Sequence, residues 1–200
     1  MKLQQVLEFH KTNIFEQRLD HILIMLETGQ HESKILTQLD NLCHQLNIPI
    51  TVIGGMAVTA HGYQRYTADI DILITQQDAT TLAKALLQSG WINIGHNTLQ
   101  DNNTKVLINF CAEGIKAGRV TFPPPDHTNP GIKIADLPLL IILKIKANRH
   151  KDRSDVVELI KANKLTIEFL TTNISPSLSA IDKQLLQSLW KTAMKEQNKS

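Results

Sequence analysis

Apolar positions fall at helical spacing through the first part of the chain. Phe15, Leu19, Ile22, Leu23 and Leu26 form one stripe, and after a break at Gly29 a second runs through Ile35, Leu36, Leu39, Leu42 and Leu46. Residues 1–48 are therefore predicted to be helical. The pattern then changes period. Pro49–Ile53 is short, β-branched and uncharged, and it stops at Gly54 and Gly55, as a buried strand does. The small residues Ala57, Val58, Thr59 and Ala60 then predict a short helix over 56–61, packed close to a sheet. Over 67–74, Ile70, Ile72 and Ile74 alternate with Asp69 and Asp71, the clearest strand signal in the chain. Helical spacing returns over 78–87 and ends near Gly90. Two strands are predicted over 91–94 and 105–111, with a turn at Asn102 and Asn103 between them. Pro123, Pro124 and Pro125 open a loop predicted to run to Asp136, the N-cap of an apolar helix that begins at Leu137. A further helix is expected over 152–161. The tail, 177–199, reads as mostly helical, with Leu178, Ile181, Leu185 and Leu189 turned inward.

These elements predict an α/β (α+β) fold, a small mixed β-sheet flanked by helices. Residues 1–48 would be a helical N-terminal extension, 49–165 the core, and 166–200 a C-terminal helical segment packed on it. Composition acts mainly by exclusion. A chain of 200 residues with 42% hydrophobic and 20% charged residues can bury a full core and is not disordered in character. With 21 basic and 19 acidic residues the formal charge is +2, too balanced to hold nucleic acid by bulk charge. Any phosphate must be met by local groups. The longest apolar run, 137–143, contains Pro138, so no membrane span is expected, and the start of the chain has no apolar signal-peptide core. A cytoplasmic protein with Cys43 and Cys111 as free thiols is the expectation.

The candidate chemistry lies in 52–74. Asp69 and Asp71 are two apart on a predicted strand, so both side chains leave the same face. Like charges held that close repel, and a cation between them relieves the repulsion. Oxygen ligands on a rigid strand suit Mg²⁺, which takes one or two carboxylates and leaves room for substrate phosphates. Taken alone, the same spacing is also that of an ordinary half-exposed strand. Gly54 and Gly55 shift the balance, because a strand that ends in two glycines and enters a helix lets backbone N–H groups approach an anion closely. Further along, Lys144 has Leu140, Ile141 and Ala147 as helical neighbours, so it either snorkels or meets an anion. Asp152 and Asp155 read as groups that cap and orient the next helix. His61 and the basic residues Arg149, Lys151 and Arg153 carry no specific signal, and no zinc spacing or nucleophile elbow is present.

Together, Gly54, Gly55, Ala57, Gly62, Arg65, Thr67, Asp69 and Asp71 resemble the pattern of the nucleotidyltransferase superfamily, whose best-known member is DNA polymerase beta. The stretch looks most like the minimal and abortive-infection-toxin type of bacterial nucleotidyltransferases, and 140–159 is similar to that family's later helix pair. The resemblance covers about residues 49–165. It implies Mg²⁺-dependent transfer of a nucleoside monophosphate from an NTP to a hydroxyl of an acceptor. Asp69 and Asp71 would be the catalytic and metal-binding acids, with Gly54, Gly55, Arg65, Thr67 and Lys144 toward the phosphates. The acceptor stays open between tRNA, a protein and a small molecule, and the resemblance also admits a toxin with an antitoxin protein as partner. One position departs from the family. Where a third carboxylate usually stands, this chain has Asn109, a neutral group that cannot serve as a carboxylate base. The alternative is a degenerate nucleotidyltransferase fold that binds a nucleotide or a partner without turnover.

Overall fold

The computed structural model describes residues 30–65, 67 and 69–198. The stripe from Phe15 to Leu26 lies outside them. Helix α1 (Gln30–Leu46) buries Ile35, Leu36 and Leu39 of the second predicted stripe together with Cys43, while Leu42 and Leu46 are partly buried. Strand β1 (Pro49–Ile53) leads directly into the short helix α2 (Gly54–Ala60), and β2 (Asp69–Ile74) follows. Helix α3 (Gln76–Gln88) is capped by Thr75, whose hydroxyl accepts the Asp78 N–H. The strands β3 (Trp91–Gly95), β4 (Thr98–Asp101) and β5 (Leu107–Ala112) come next, and the small hairpin β6 (Lys116–Ala117) and β7 (Val120–Thr121) forms a separate two-stranded sheet. After β8 (Gly131–Ile134) the chain is helical: α4 (Leu137–Ala147), α5 (His150–Ala162), α6 (Ile167–Asn173) and α7 (Ala180–Gln197). Among the described residues no helix is long and apolar enough to cross a membrane.

The six strands of the main sheet run in the order β3-β4-β5-β2-β1-β8. β2 lies between antiparallel β1 and parallel β5, and β8 is parallel to β1. The alternation seen in the sequence of β2 now has a physical cause. Ile70, Ile72 and Ile74 are fully buried and continue into Ile108 on β5 and Val52 on β1, one apolar face that packs against α1 and α3. Asp69 and Asp71 leave the opposite face, toward α2 and α4. The alternation fails at Leu73, which is buried as well, because helices cover both faces there.

Three expectations need correction. The loop expected from Pro123 to Asp136 contains β8, whose first residues are held by α1: Asp40 accepts the Ile132 N–H at 2.7 Å. A four-residue strand after three prolines carries too few residues to show a period. β4 likewise stands where no strand was expected, as the middle of the β3-β4-β5 meander. In α7 the inner face is Asp182, Leu186, Leu189 and Ala193, whereas Ile181 is 74% exposed. A polar residue opens that stripe, and Asp182 is buried because it accepts from Arg119 of the β6–β7 hairpin at 2.7 Å.

Candidate functional site

A cavity of about 510 Å³ opens on the Asp69 and Asp71 face of the sheet. Its floor is Asp69 and Asp71 of β2 with Asn109 and Cys111 of β5. Gly54 at the start of α2 forms one side, and Lys144, Arg149, Lys151 and Asp152 from α4, α5 and their junction form another. Val120 and Phe122 from the small hairpin, with Leu140 and Leu143 of α4, supply an apolar wall. The sheet register explains the floor. Asp71 pairs with Asn109 across β2 and β5, so the two side chains stand together on one face.

Asp69 and Asp71 are half-buried, and among the described residues no lysine, arginine or histidine forms an ion pair with either. Burial pushes the Asp71 carboxyl up from the usual carboxylate range. The hydrogen bond from Asn109 and the charges of Lys144 and Lys151 oppose that rise, and the charge of Asp69 adds to it. The second pair of acids is treated differently. The Lys144 ammonium donates to Asp155 at 2.6 Å and lies 3.4 Å from Asp152. Arg65 pairs with Asp155 at 3.1 Å, and Arg149 clasps both oxygens of Asp152. Three cations thus share two carboxylates. Burial pushes Asp152 up, but the Arg149 hydrogen bonds and the charges of Lys144 and Arg149 outweigh it and hold the carboxyl below its ordinary range. Asp152 also accepts the Arg149 N–H and so caps α5, as expected, while Asp155 serves the cations instead.

The residues singled out in the sequence separate into two groups. Gly54, Asp69, Asp71, Asn109 and Lys144 line the cavity. Gly55, Arg65 and Thr67 lie behind it. Gly54 has a φ of +71°, and a Cβ there would collide with the Asp71 carboxylate, so glycine is required both by backbone and by space. A Cβ on Gly55 would stand 2.6 Å from the Thr67 hydroxyl and 2.9 Å from the Arg65 guanidinium. That glycine lets the β1–β2 connection close, and Arg65 ties the connection to α5. Helix α2 begins at Gly54, and Ile53 before it supplies no capping oxygen. His61 bonds the Ala135 carbonyl at 2.8 Å, a structural use. The thiol of Cys111 is pushed up to about 12, chiefly by burial and then by Asp71, and so stays protonated. Sequence reasoning missed Thr98, which donates to Asn109 at 2.9 Å from a strand that carried no signal. It also undervalued Arg149 and Lys151, whose position at the cavity follows from the α4–α5 turn at Asn148.

No protein-family model and no curated protein sequence matches the chain. Two solved structures are similar in arrangement. The crystal structure of ANT(2″)-Ia in complex with adenylyl-2″-tobramycin aligns with a TM-score of 0.43 at 9% identity, over 82% of this chain and 97% of that one. The solution structure of the antibiotic-resistance factor ANT(2″)-Ia aligns with a TM-score of 0.40 at 10% identity, over 82% and 92%. At such a level of likeness the site has to be judged on its own geometry.

The donor set fits one divalent cation with oxygen preference. Two carboxylates without a counter-cation line one cavity, and no group of three or more His, Cys, Asp or Glu side chains able to hold a metal occurs among the described residues. Closed zinc-type coordination has no such ligand set among the described residues, whereas two carboxylates suit Mg²⁺, which keeps several waters.

Proposed function

We propose that the chain is a nucleotidyltransferase that moves a nucleoside monophosphate from an NTP to a hydroxyl of an acceptor. The observation that carries this reading is the contrast within one cavity: among the described residues Asp69 and Asp71 form no ion pair, while the basic groups beside them exceed their own acids. A pair of anionic groups short of positive charge beside a cationic rim matches a cation–polyphosphate complex in both signs. Asp69 and Asp71 bind Mg²⁺, which when bound supplies neutralisation of the phosphate oxygens. Lys151 and Arg149 face the phosphates from the α4–α5 junction, and Lys144 does so through the donor capacity that Asp155 leaves. Gly54, which lines the cavity where β1 enters α2, lets a phosphate approach the backbone closely. Gly55, Arg65 and Thr67 hold the β1–β2 connection in shape.

In the reaction the acceptor oxygen bonds to the α-phosphorus, and the bond from that phosphorus to the oxygen bridging toward the β-phosphate breaks. Pyrophosphate leaves. Position 109 is an amide, so the acids left to receive the acceptor proton are Asp69 and Asp71. Val120, Phe122, Leu140 and Leu143 form the apolar wall of this space. The acceptor is tRNA, a protein hydroxyl or a small hydroxylated molecule, and a toxin role with an antitoxin partner belongs to the protein-or-tRNA branch.

The test is pyrophosphate release from each NTP, with and without Mg²⁺, across those three acceptor classes. Mg²⁺-dependent release that Asp69→Asn and Asp71→Asn abolish is expected. Release that survives both substitutions would overturn the assignment. The second reading, a module that binds nucleotide without turnover, is favoured by Asn109, and Mg²⁺-dependent NTP binding with no release on any acceptor would select it.

A further inference from the structure

Asp71 and Asn109 face each other across β2 and β5, and the hydrogen bonds around them have a fixed sense. An ionised carboxylate only accepts, so the Asn109 atom that meets Asp71 Oδ1 at 2.8 Å is the Nδ2 amide, which donates. The amide oxygen then points the other way. It accepts from the Thr98 hydroxyl of β4 at 2.9 Å, so both polar atoms of the amide are engaged, the nitrogen by Asp71 and the oxygen by Thr98. A divalent cation needs an oxygen, and the side-chain oxygen of Asn109 is engaged elsewhere. The amide hydrogen also occupies the flank of Asp71 Oδ1 where a cation shared between positions 71 and 109 would sit. Gly54 closes on the other oxygen, Oδ2, so closely that no Cβ fits between.

We infer that Asn109 and Thr98 are positioning residues that restrict the site to a single divalent cation, held by Asp69 and Asp71, and that they orient the Asp71 carboxylate toward it. The inference rests on the reading of Asp69 and Asp71 as a cation site. In energetic terms Asn109 trades a ligand for a fixed donor. The donor partly compensates the burial of Asp71, which a third carboxylate at this position would worsen. Thr98 matters because its hydroxyl satisfies the Asn109 oxygen and so holds the amide in place while its hydrogen meets Asp71.

The experiment counts bound Mn²⁺ on the full chain from the loss of the free-ion electron paramagnetic resonance signal, with no nucleotide present. Wild-type protein is expected to bind one Mn²⁺. Thr98→Val keeps the β-branched shape but removes the donor, and should still bind one, about tenfold more weakly. Asn109→Asp is expected to bind two, and to melt below wild type without metal and recover as Mn²⁺ is added. Two Mn²⁺ on the wild type, or Thr98→Val with unchanged affinity, would overturn the inference while leaving the cation site standing. No Mn²⁺ on the wild type would instead defeat the cation site itself. Where Asn109→Asp fails to fold, the wild-type count and the Thr98→Val affinity still decide.

Discussion

Two pairs of acids stand beside the same cavity, and the protein treats them oppositely. Asp152 and Asp155 are almost completely buried, yet each is matched by cations from α4, α5 and the β1–β2 connection. Asp69 and Asp71 are more accessible, yet among the described residues neither forms an ion pair, and Asp71 has the Asn109 amide. Burial of a charge is tolerated when partners replace water, and the first pair meets that condition with cations to spare. Among the described residues the second pair has no ion-pair partner, only the more distant charges of Lys144 and Lys151 acting on Asp71. The two pairs thus differ in partners, and the more deeply buried pair is the better compensated one. An uncompensated pair costs stability, and the proposed cation–phosphate complex rests on its place beside a cationic rim.

The comparison breaks most sharply at Asp155. Asp155→Ala leaves Lys144 and Arg65 without their shared carboxylate in a buried setting, which should cost about 3–5 kcal/mol. Denaturant unfolding measures it. A loss near zero would mean that the network is not structural and the contrast with Asp69 and Asp71 is empty. Gly54→Ala comes next. Its positive φ strains alanine by about 1–3 kcal/mol, and its methyl group displaces the Asp71 carboxylate, so melting temperature and Mn²⁺ binding should fall together. Binding that survives the strain would show that Asp71 is not held by Gly54.

Asp71→Asn has the opposite sign on stability. It removes the negative charge from a position where burial and Asp69 disfavour it, and asparagine still accepts from Asn109 through its oxygen. The metal-free variant should melt above wild type, while Mg²⁺-dependent NTP binding weakens at least tenfold, about 1.4 kcal/mol. Calorimetry and thermal melting read the two effects separately, and a variant that melts lower would place Asp71 among the structural acids.

The smallest effects are those of pH. Asp71 has a raised folded pKa, so the stability its protonation contributes is full below the unfolded value of 3.8 and is lost as pH rises through the raised value. The advantage of Asp71→Asn should therefore be present at neutral pH and shrink as pH falls toward 3.8. Asp152 has a lowered folded pKa, so its contribution is present above 3.8 and disappears as pH falls below it. The deficit of Asp152→Asn should accordingly persist unchanged from neutral pH down to about pH 4. Melting curves across pH 3–8 for both variants test the pair, and parallel pH profiles would erase the distinction between them.

Much of this was legible in the sequence because it rests on local periodicity. The alternation in β2 fixed which face carries Asp69 and Asp71, and the helical spacing of Ile35, Leu36 and Leu39 located the buried side of α1. Asp136 was recognisable as a cap, and its carboxylate does accept the Leu139 N–H at 2.8 Å. Those signals need only neighbours a few residues away. The tertiary structure alone decided the rest. That Lys144 is shared by Asp152 and Asp155, that Arg65 leaves the cavity to join them, and that Arg119 draws Asp182 inward all depend on elements distant in the chain. The clearest case is Asn109. Its residue type says that a carboxylate is missing, but its amide donates to Asp71 while its oxygen turns to Thr98, brought into register by β4, a strand too short to announce itself. Periodicity assigns a side chain to a face, whereas its partners, and hence its charge and chemistry, are assigned by whichever strands and helices the fold lays against that face.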